Sequence, residues 1–326
     1  MRVFQLFYVA LGIALLVGVL WDTDFTEVAD MLAAVGAVGI AVVVGIYALS
    51  FLGDSISWAL ILTSLPPKPI WWRRCFLIRL AGEAFNNIVP AGGFAGEPVK
   101  AVILTRRYGV SLTEATASLV MARTVNMFAL IAFLIVGFAF VLADDAMAGP
   151  IRNAAGVGLA LLSLGTVLLF ALQRYSVSTW LLKRFSGLTW AAKAIAAVEE
   201  MDARFVAFYS AHPIRLSVSS VLAFLNWVLG VVEIYATFYF LDHPISWREA
   251  WMIEALVQMV RSAVFFIPLA IGAQEGVFVL VVGAMTGAGP LGLACAAVRR
   301  IRELIWIGLG LAIAAMFPTS VRAPGT

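Results

Sequence analysis

Residues 87–97 read Asn-Ile-Val-Pro-Ala-Gly-Gly-Phe-Ala-Gly-Glu and interrupt an apolar segment that runs from Cys75 to Leu104. Proline removes a backbone donor and glycine is conformationally permissive, so we expect a helix to break at the centre of this stretch. A second interrupted segment, Trp251 to Met285, contains Phe-Phe-Ile-Pro-Leu-Ala-Ile-Gly-Ala-Gln-Glu at residues 265–275. In both stretches a glutamate follows the proline by seven residues. The match predicts two broken helices built on one repeated pattern.

The composition around these stretches is that of a membrane protein. Of the 326 residues, 63% are hydrophobic and 13% are charged, whereas soluble domains average about 45–50% apolar and about 25% charged residues. This balance excludes a soluble enzyme and a disordered chain. The net charge of +3 is too small for the basic stripe of a nucleic-acid binder. We therefore predict an all-α, polytopic integral membrane protein that forms a single transmembrane domain over residues 1–326.

A bilayer crossing needs about 20 apolar residues, and the chain supplies six such segments besides the two broken ones. We interpret the first as a retained helix, because no small-residue cleavage site follows it. The six predicted spans are Phe4–Leu20, Met31–Leu52, Ala115–Leu142, Asn153–Leu172, Leu216–Leu241 and Leu291–Phe317.

Loop charges predict the orientation of these spans. Lys and Arg crowd alternate loops, which places both termini on the cytoplasmic side of a bacterial inner membrane by the positive-inside rule. Arginine pairs stand before and after the first broken segment, so we expect it to enter and leave from the cytoplasm as a re-entrant hairpin. The second hairpin is expected from the opposite face.

Two hairpins from opposite faces make an inverted repeat, which secondary transporters use around a midplane site. The repeat units are predicted at about residues 72–142 and 247–317. A cytoplasmic amphipathic linker, at about residues 174–213, is predicted between them because its apolar side chains recur at helical spacing.

Charged side chains inside these segments point to a binding site. Each costs about 2.5–3.5 kcal/mol in hydrocarbon, so it should face a cavity or a partner. A helix that restarts near Gly96 would direct its amides at an anion such as a phosphate headgroup. The predicted substrate-binding residues are Arg79, Glu83, Asn86, Asn87, Gly92, Gly93, Glu97, Lys100, Arg123, Arg261, Glu275, Arg299 and Arg302.

Structural interpretations of the same residues stay open at this point. The charged groups can be ion pairs that hold helices together, and residues 90–96 can be a glycine-rich packing turn. Glu97 and Glu275 either cap their helices, against Arg123 and Arg299, or carry protons because of partial desolvation.

The sequence lacks the usual signatures of catalysis. Two cysteines and two histidines form no zinc-type spacing, and there is no nucleophile elbow, phosphate-binding loop or dinucleotide fingerprint. We expect a protein that is not an enzyme, without catalytic residues, metal or cofactor.

The motif at residues 87–97, followed by Arg123, resembles the first motif of the lysylphosphatidylglycerol synthase transmembrane-region family, also described as flippase-like membrane proteins. Residues 267–276 and the Arg-Arg-Ile-Arg-Glu run at 299–303 resemble its second motif, closest to the subgroup encoded with hopanoid biosynthesis. The resemblance covers nearly the whole chain and implies lipid translocation or lipid handling. Synthases of the family continue into a soluble aminoacyltransferase domain, whereas this chain ends at Thr326, so we expect no aminoacylation of lipid.

These observations predict a lipid transporter that moves a polar-headgroup or hopanoid-type lipid across the membrane through a polar midplane cavity. Its expected partner is a membrane lipid, with headgroup and apolar tail, and not a nucleic acid. Lipid-biosynthesis proteins are further candidate partners. The alternatives are an embedded accessory or enzyme of hopanoid or isoprenoid biosynthesis, and a non-transporting scaffold.

Overall fold

The computed structural model describes residues 2–21, 25–66, 68–89, 95–144, 149–175 and 191–317. These residues form eleven α-helices and one short 3-10 helix, and they include no strand, which confirms the all-α prediction. The helices are α1 (Arg2–Leu20), α2 (Phe25–Ile61), α3 (Pro69–Ile88), α4 (Gly96–Tyr108), α5 (Leu112–Leu142), α6 (Gly149–Arg174), α7 (Ala191–Ala211), α8 (Pro213–Phe240), α9 (Trp247–Ala263), the 3-10 helix (Pro268–Ala270), α10 (Ala273–Thr286) and α11 (Gly289–Ala315).

The described residues contain several membrane-crossing stretches, so the chain is a multi-pass membrane protein. α1 and α11 form where the first and sixth spans are predicted. The stretches long and apolar enough to cross are Thr26–Ile61, Leu112–Leu142, Gly149–Leu172, Pro213–Phe240 and Pro268–Thr286.

Both interrupted segments fold as helix, break and helix. α3 ends at Ile88 and α4 restarts at Gly96, while α9 ends at Ala263 and α10 starts at Ala273. α4 has 13 residues, about 20 Å of helix, which is shorter than the hydrocarbon layer of about 30 Å. α10 has 14 residues, but together with the preceding 3-10 helix it forms the 19-residue stretch Pro268–Thr286, which is long enough to cross. The predicted tip residues Gly92 and Gly93 lie outside the described residues.

α2 is longer than the predicted span Met31–Leu52. It bends at Gly36, whose φ of 59° favours glycine, and it continues to Ile61. The extension brings Asp54 and Ser57 into the protein interior. Ser57 and Ser219 of α8 each donate a hydroxyl hydrogen bond of 3.1 Å to the other's carbonyl oxygen, which joins α2 to α8.

The core lies where α2, α5, α8, α9 and α11 pack together. Phe133 of α5 stacks on Trp251 of α9 with ring centroids 5.0 Å apart, and the Trp251 indole donates to the Phe133 carbonyl oxygen over 3.2 Å. By contrast, α6 exposes one apolar side that includes Leu161 and Leu164. An apolar face of this kind is expected to contact lipid tails.

α7 is the described part of the predicted amphipathic linker. Its Phe205 and Phe208 are buried against α5 and α8, while Glu199 and Glu200 are exposed. Arg204 donates to the Glu200 carboxylate over 2.8 Å and lowers the pKa of this group. α7 therefore packs through Phe205 and Phe208, while it also contributes the buried Asp202 and the contact of Arg204 with Glu114 of α5.

Candidate functional site

Two adjoining cavities lie where the broken helices converge. The polar cavity, about 230 Å³, is lined by charged groups that include Asp54, Arg79 and Lys100. The tip cavity, about 500 Å³, is lined by Asn87 and Val89 at the end of α3 and by the 265–270 segment, apart from Phe266, that follows α9. The end of α3 and the segment that follows α9 therefore meet at one cavity. The residues common to both cavities, called the shared wall below, are Glu83, Asn86, Arg123, Asn126, Trp227 and Arg261.

The first hairpin is held together by close backbone contact and by polar bonds. The Gly96 amide donates to Asn86 Oδ1 over 2.7 Å, across the break between α3 and α4. A Cβ at Gly96 would lie only 2.0 Å from the Gly82 carbonyl oxygen, so the helices approach as closely as they do because residue 96 is glycine. Asn86, which the sequence predicts as a substrate-binding residue, thus accepts a hydrogen bond from the first residue of α4.

Charged residues of this hairpin have defined partners. Arg79 forms an ion pair with Asp54 of α2, although helical spacing also places it one turn from Glu83. Lys100 is almost fully buried and binds Glu97 over 2.6 Å. The Glu97–Lys100 contact is one of the pairs that i,i+3 spacing predicts.

Glu83 differs from the other acidic groups of the cavities. Its carboxylate accepts hydrogen bonds of 3.4 Å from the side-chain amides of Asn86 and Asn87. No described residue brings a cationic atom within 4 Å of it. Glu83 is on the shared wall and also lines a small third cavity beside Arg302 and Trp306.

Arginines of α11 and α9 hold the second hairpin in place through ion pairs and hydrogen bonds. Glu275 accepts from the Gly272 amide over 2.8 Å, so it caps α10. Its ion-pair partner is Arg300, and not the expected Arg299. Arg300 also donates to the Leu269 carbonyl oxygen over 3.1 Å, which fixes the tip of the second hairpin to α11.

Glu303 is a further anchor of this hairpin. Arg261 of α9 contacts it over 2.6 Å and Arg300 contacts it over 2.8 Å. Arg261 also bonds to Gln274. The end of α9, the start of α10 and the middle of α11 are thereby joined through one carboxylate and two guanidinium groups.

One side of the polar cavity is formed by an ion-pair network of buried side chains. Arg299, 2% exposed, contacts Glu254 of α9 over 2.5 Å and Glu233 of α8 over 3.3 Å. Arg302 contacts Glu233 as well, and its guanidinium lies 4.0 Å from the Tyr47 ring centroid. These groups connect α2, α8, α9 and α11.

The structure gathers most predicted site residues at the cavities. Glu275 and Arg299 line neither the polar nor the tip cavity. Glu275 caps α10 and pairs with Arg300, and Arg299 pairs with Glu233 and Glu254. The predicted residues that line these cavities are Arg79, Glu83, Asn86, Asn87, Glu97, Lys100, Arg123, Arg261 and Arg302.

Sequence reasoning missed several polar groups of the polar cavity. Asp54 fell outside the predicted second span, and the others are single polar residues on otherwise apolar helices. Ser50 donates to Asn226 across α2 and α8, which only the packed structure reveals. The polar lining residues that were absent from the predicted site are Tyr47, Ser50, Asp54, Trp58, Asn126, Asn226, Trp227, Glu233, Glu254 and Gln258.

The charge of the polar cavity is balanced. Its described lining has five acidic and five basic side chains, namely Asp54, Glu83, Glu97, Glu233, Glu254, Arg79, Lys100, Arg123, Arg261 and Arg302. The tip cavity carries only Glu83, Arg123 and Arg261 among charged lining residues, beside many apolar ones. A charged chamber that opens onto an apolar one suits a ligand with a polar head and an apolar tail.

Within the described chain, no three His, Cys, Asp or Glu residues converge as metal ligands.

Comparison with known protein families gives a match over almost the whole chain. The family model described as "Lysylphosphatidylglycerol synthase TM region" matches residues 5–311. This range includes both hairpins and every residue of the two cavities. No curated protein and no solved structure matches the chain.

Proposed function

The chain belongs to the lysylphosphatidylglycerol synthase transmembrane-region family, and from this membership we propose that it moves a polar lipid between the two leaflets of the bacterial inner membrane. The observation that carries the proposal is the pair of adjoining cavities, one charged and one largely apolar, where the end of α3 meets the segment that follows α9. A headgroup would occupy the polar cavity, while the tail would follow the apolar lining of the tip cavity.

Arg123 and Arg261 are the proposed phosphate ligands. Both are on the shared wall, where a headgroup must pass, and guanidinium groups bind phosphate through paired hydrogen bonds. The Arg261 side chain keeps 26% of its surface accessible although it contacts Glu303. It therefore has surface left with which to meet a ligand.

Alternating access would follow from movement of one repeat unit against the other. We propose cytoplasmic termini, with the first hairpin reached from the cytoplasm and the second from the outside, because of the loop charges. Transport of this kind needs no covalent step. The lipid classes proposed are anionic phospholipids first and hopanoid-type lipids second, the latter from the sequence resemblance alone.

Reconstitution tests the proposal. Purified protein in liposomes should accelerate leaflet exchange of a fluorescent phosphatidylglycerol, measured by bleaching the outer leaflet. Arg123→Ala and Arg261→Ala should slow exchange about tenfold or more, since a hydrogen bond to a charged group contributes about 1.5–3 kcal/mol. Arg204→Ala, on α7 and away from the cavities, is the matched control.

Parallel liposomes containing phosphatidylethanolamine or a hopanoid identify the lipid class. Arg261→Lys keeps the positive charge at this position, and the size-exclusion profile of each variant shows whether it is folded. Together they separate loss of function from loss of fold. Absence of acceleration for every lipid would contradict transport. Mass spectrometry of the same liposomes checks the enzyme alternative, which requires a chemically altered lipid.

A further inference from the structure

Glu83 occupies the point where a transported anion would pass. It is on the shared wall with Arg123 and Arg261, so it belongs to both cavities. Each of the other acidic groups that line the polar cavity has a basic partner within 4 Å: Asp54, Glu97, Glu233 and Glu254. Among the described residues, the carboxylate of Glu83 has two side-chain amides as partners, at 3.4 Å, and no basic group within 4 Å. It is therefore the acidic group of this lining that lacks a described ion-pair partner.

The surroundings of Glu83 are mixed in charge. Cations around an empty cavity favour its ionised form, whereas a phosphate on the same wall adds a second negative charge and disfavours it. The titratable and charged groups that face this region are Tyr47 and Asp54 on α2, Arg79 on α3, Glu97 and Lys100 on α4, Arg123 on α5, Glu233 on α8, Glu254 and Arg261 on α9, and Arg302 and Glu303 on α11.

We propose that a phosphodiester anion and one proton occupy the shared wall together, the anion between Arg123 and Arg261 and the proton on the Glu83 carboxylate. The proton comes from water and returns to water when the anion leaves. This inference rests on the proposed function, because it takes the phosphodiester of a lipid headgroup as the ligand. It adds that each anion crosses with a proton, so that the net charge of the loaded cavity does not change.

Calorimetric titration tests the proposal with two probes of the same chemistry. One probe is dihexanoyl phosphatidylglycerol and the other is its deacylated headgroup, glycerophosphoglycerol, both at about pH 7.5 in buffers of different ionisation enthalpy. Because the proposal has Glu83 ionised in the empty protein, binding should take up about one proton per ligand. The affinity should then fall about tenfold per pH unit as pH rises.

Variants assign the proton to its site. Glu83→Gln should bind the lipid probe with about zero proton uptake and little pH dependence, whereas Glu83→Asp should retain the uptake. Glu200→Gln, an exposed carboxylate on α7 that also accepts from an arginine, is the matched control and should take up about one proton like the native protein.

The outcomes separate this inference from the proposed function. Binding without proton uptake, or uptake that persists in Glu83→Gln, overturns the inference and leaves lipid binding intact. Failure of both probes to bind overturns the proposed function and the inference with it. Equal affinity for the two probes would assign the site to free phosphodiesters and would contradict a lipid ligand.

Discussion

Arg299 is almost completely buried, and its charge is balanced by carboxylates from two other helices, Glu233 and Glu254. A buried ion pair gives little net stability by comparison with apolar side chains, but removal of one partner leaves an uncompensated charge. Arg299 is therefore expected to matter for the fold rather than for ligand binding, since it does not line the polar or the tip cavity.

Arg299→Met should reduce the free energy of unfolding by about 3–5 kcal/mol. The matched control is Arg204→Met, because the Arg204 side chain is 34% exposed, its closer partner is the exposed Glu200 at 2.8 Å, and its contact with Glu114 of α5 is longer, at 3.5 Å; exposed pairs contribute about 0–1 kcal/mol. Denaturation of the purified protein in detergent micelles, followed by circular dichroism, measures both. Equal losses in the two variants would contradict the structural role of Arg299.

At the scale of elements, the first hairpin depends on close contact between α3 and α4. Gly82 and Gly96 allow it, since a side chain at Gly82 would collide with Lys100 and one at Gly96 with the backbone of α3. Lys100 gives way more easily, because it is a flexible side chain. The hydrogen bond from Gly96 to Asn86 depends on the same spacing.

Gly96→Ala should destabilise the protein by about 1–3 kcal/mol, the usual cost of overpacking, and should lower its melting temperature in detergent. Gly45→Ala on α2 is the control, because no atom lies within 4 Å of the added Cβ. This control should be neutral or stabilising, since alanine favours helix. A melting temperature for Gly96→Ala equal to that of the control would argue against the tight hairpin.

The sequence predicts helix breaks well because their causes are local. Pro90 and the following glycines indicate the break, and the restart at Gly96 agrees with the structure. Asp54 and Asn226 were not predicted as cavity residues, because a single polar residue on an apolar helix carries no signal for its partner. The partners come from helices far away in the chain, and only packing brings them together. For the same reason, spacing could not show that Arg300 and not Arg299 pairs with Glu275.

At the scale of the whole molecule, the polar connections are unevenly distributed. Described ion pairs join α8, α9, α10 and α11 into one network through Glu233, Glu254, Glu275 and Glu303. The first hairpin has one described ion pair to another element, between Arg79 and Asp54. The second half of the molecule is thus the more firmly connected.

The two cysteines report on the integrity of this packing. Cys75 on α3 and Cys295 on α11 are unpaired and 0% and 1% exposed. Both thiols should resist a maleimide reagent in the native protein and react fully after denaturation in SDS. Mass spectrometry of the labelled protein measures the reaction at each site. Rapid labelling of both thiols in the native state would contradict the packed arrangement of α3 and α11.

The network of α11 has a consequence for how the protein is made. Glu233 and Glu254 leave the ribosome before the arginines that neutralise them. Until α11 has been inserted, these carboxylates lie in the bilayer without the arginines that pair with them, which is costly. A nascent chain released before Gly289 would therefore present two unpaired acids to the proteases that remove unfinished membrane proteins.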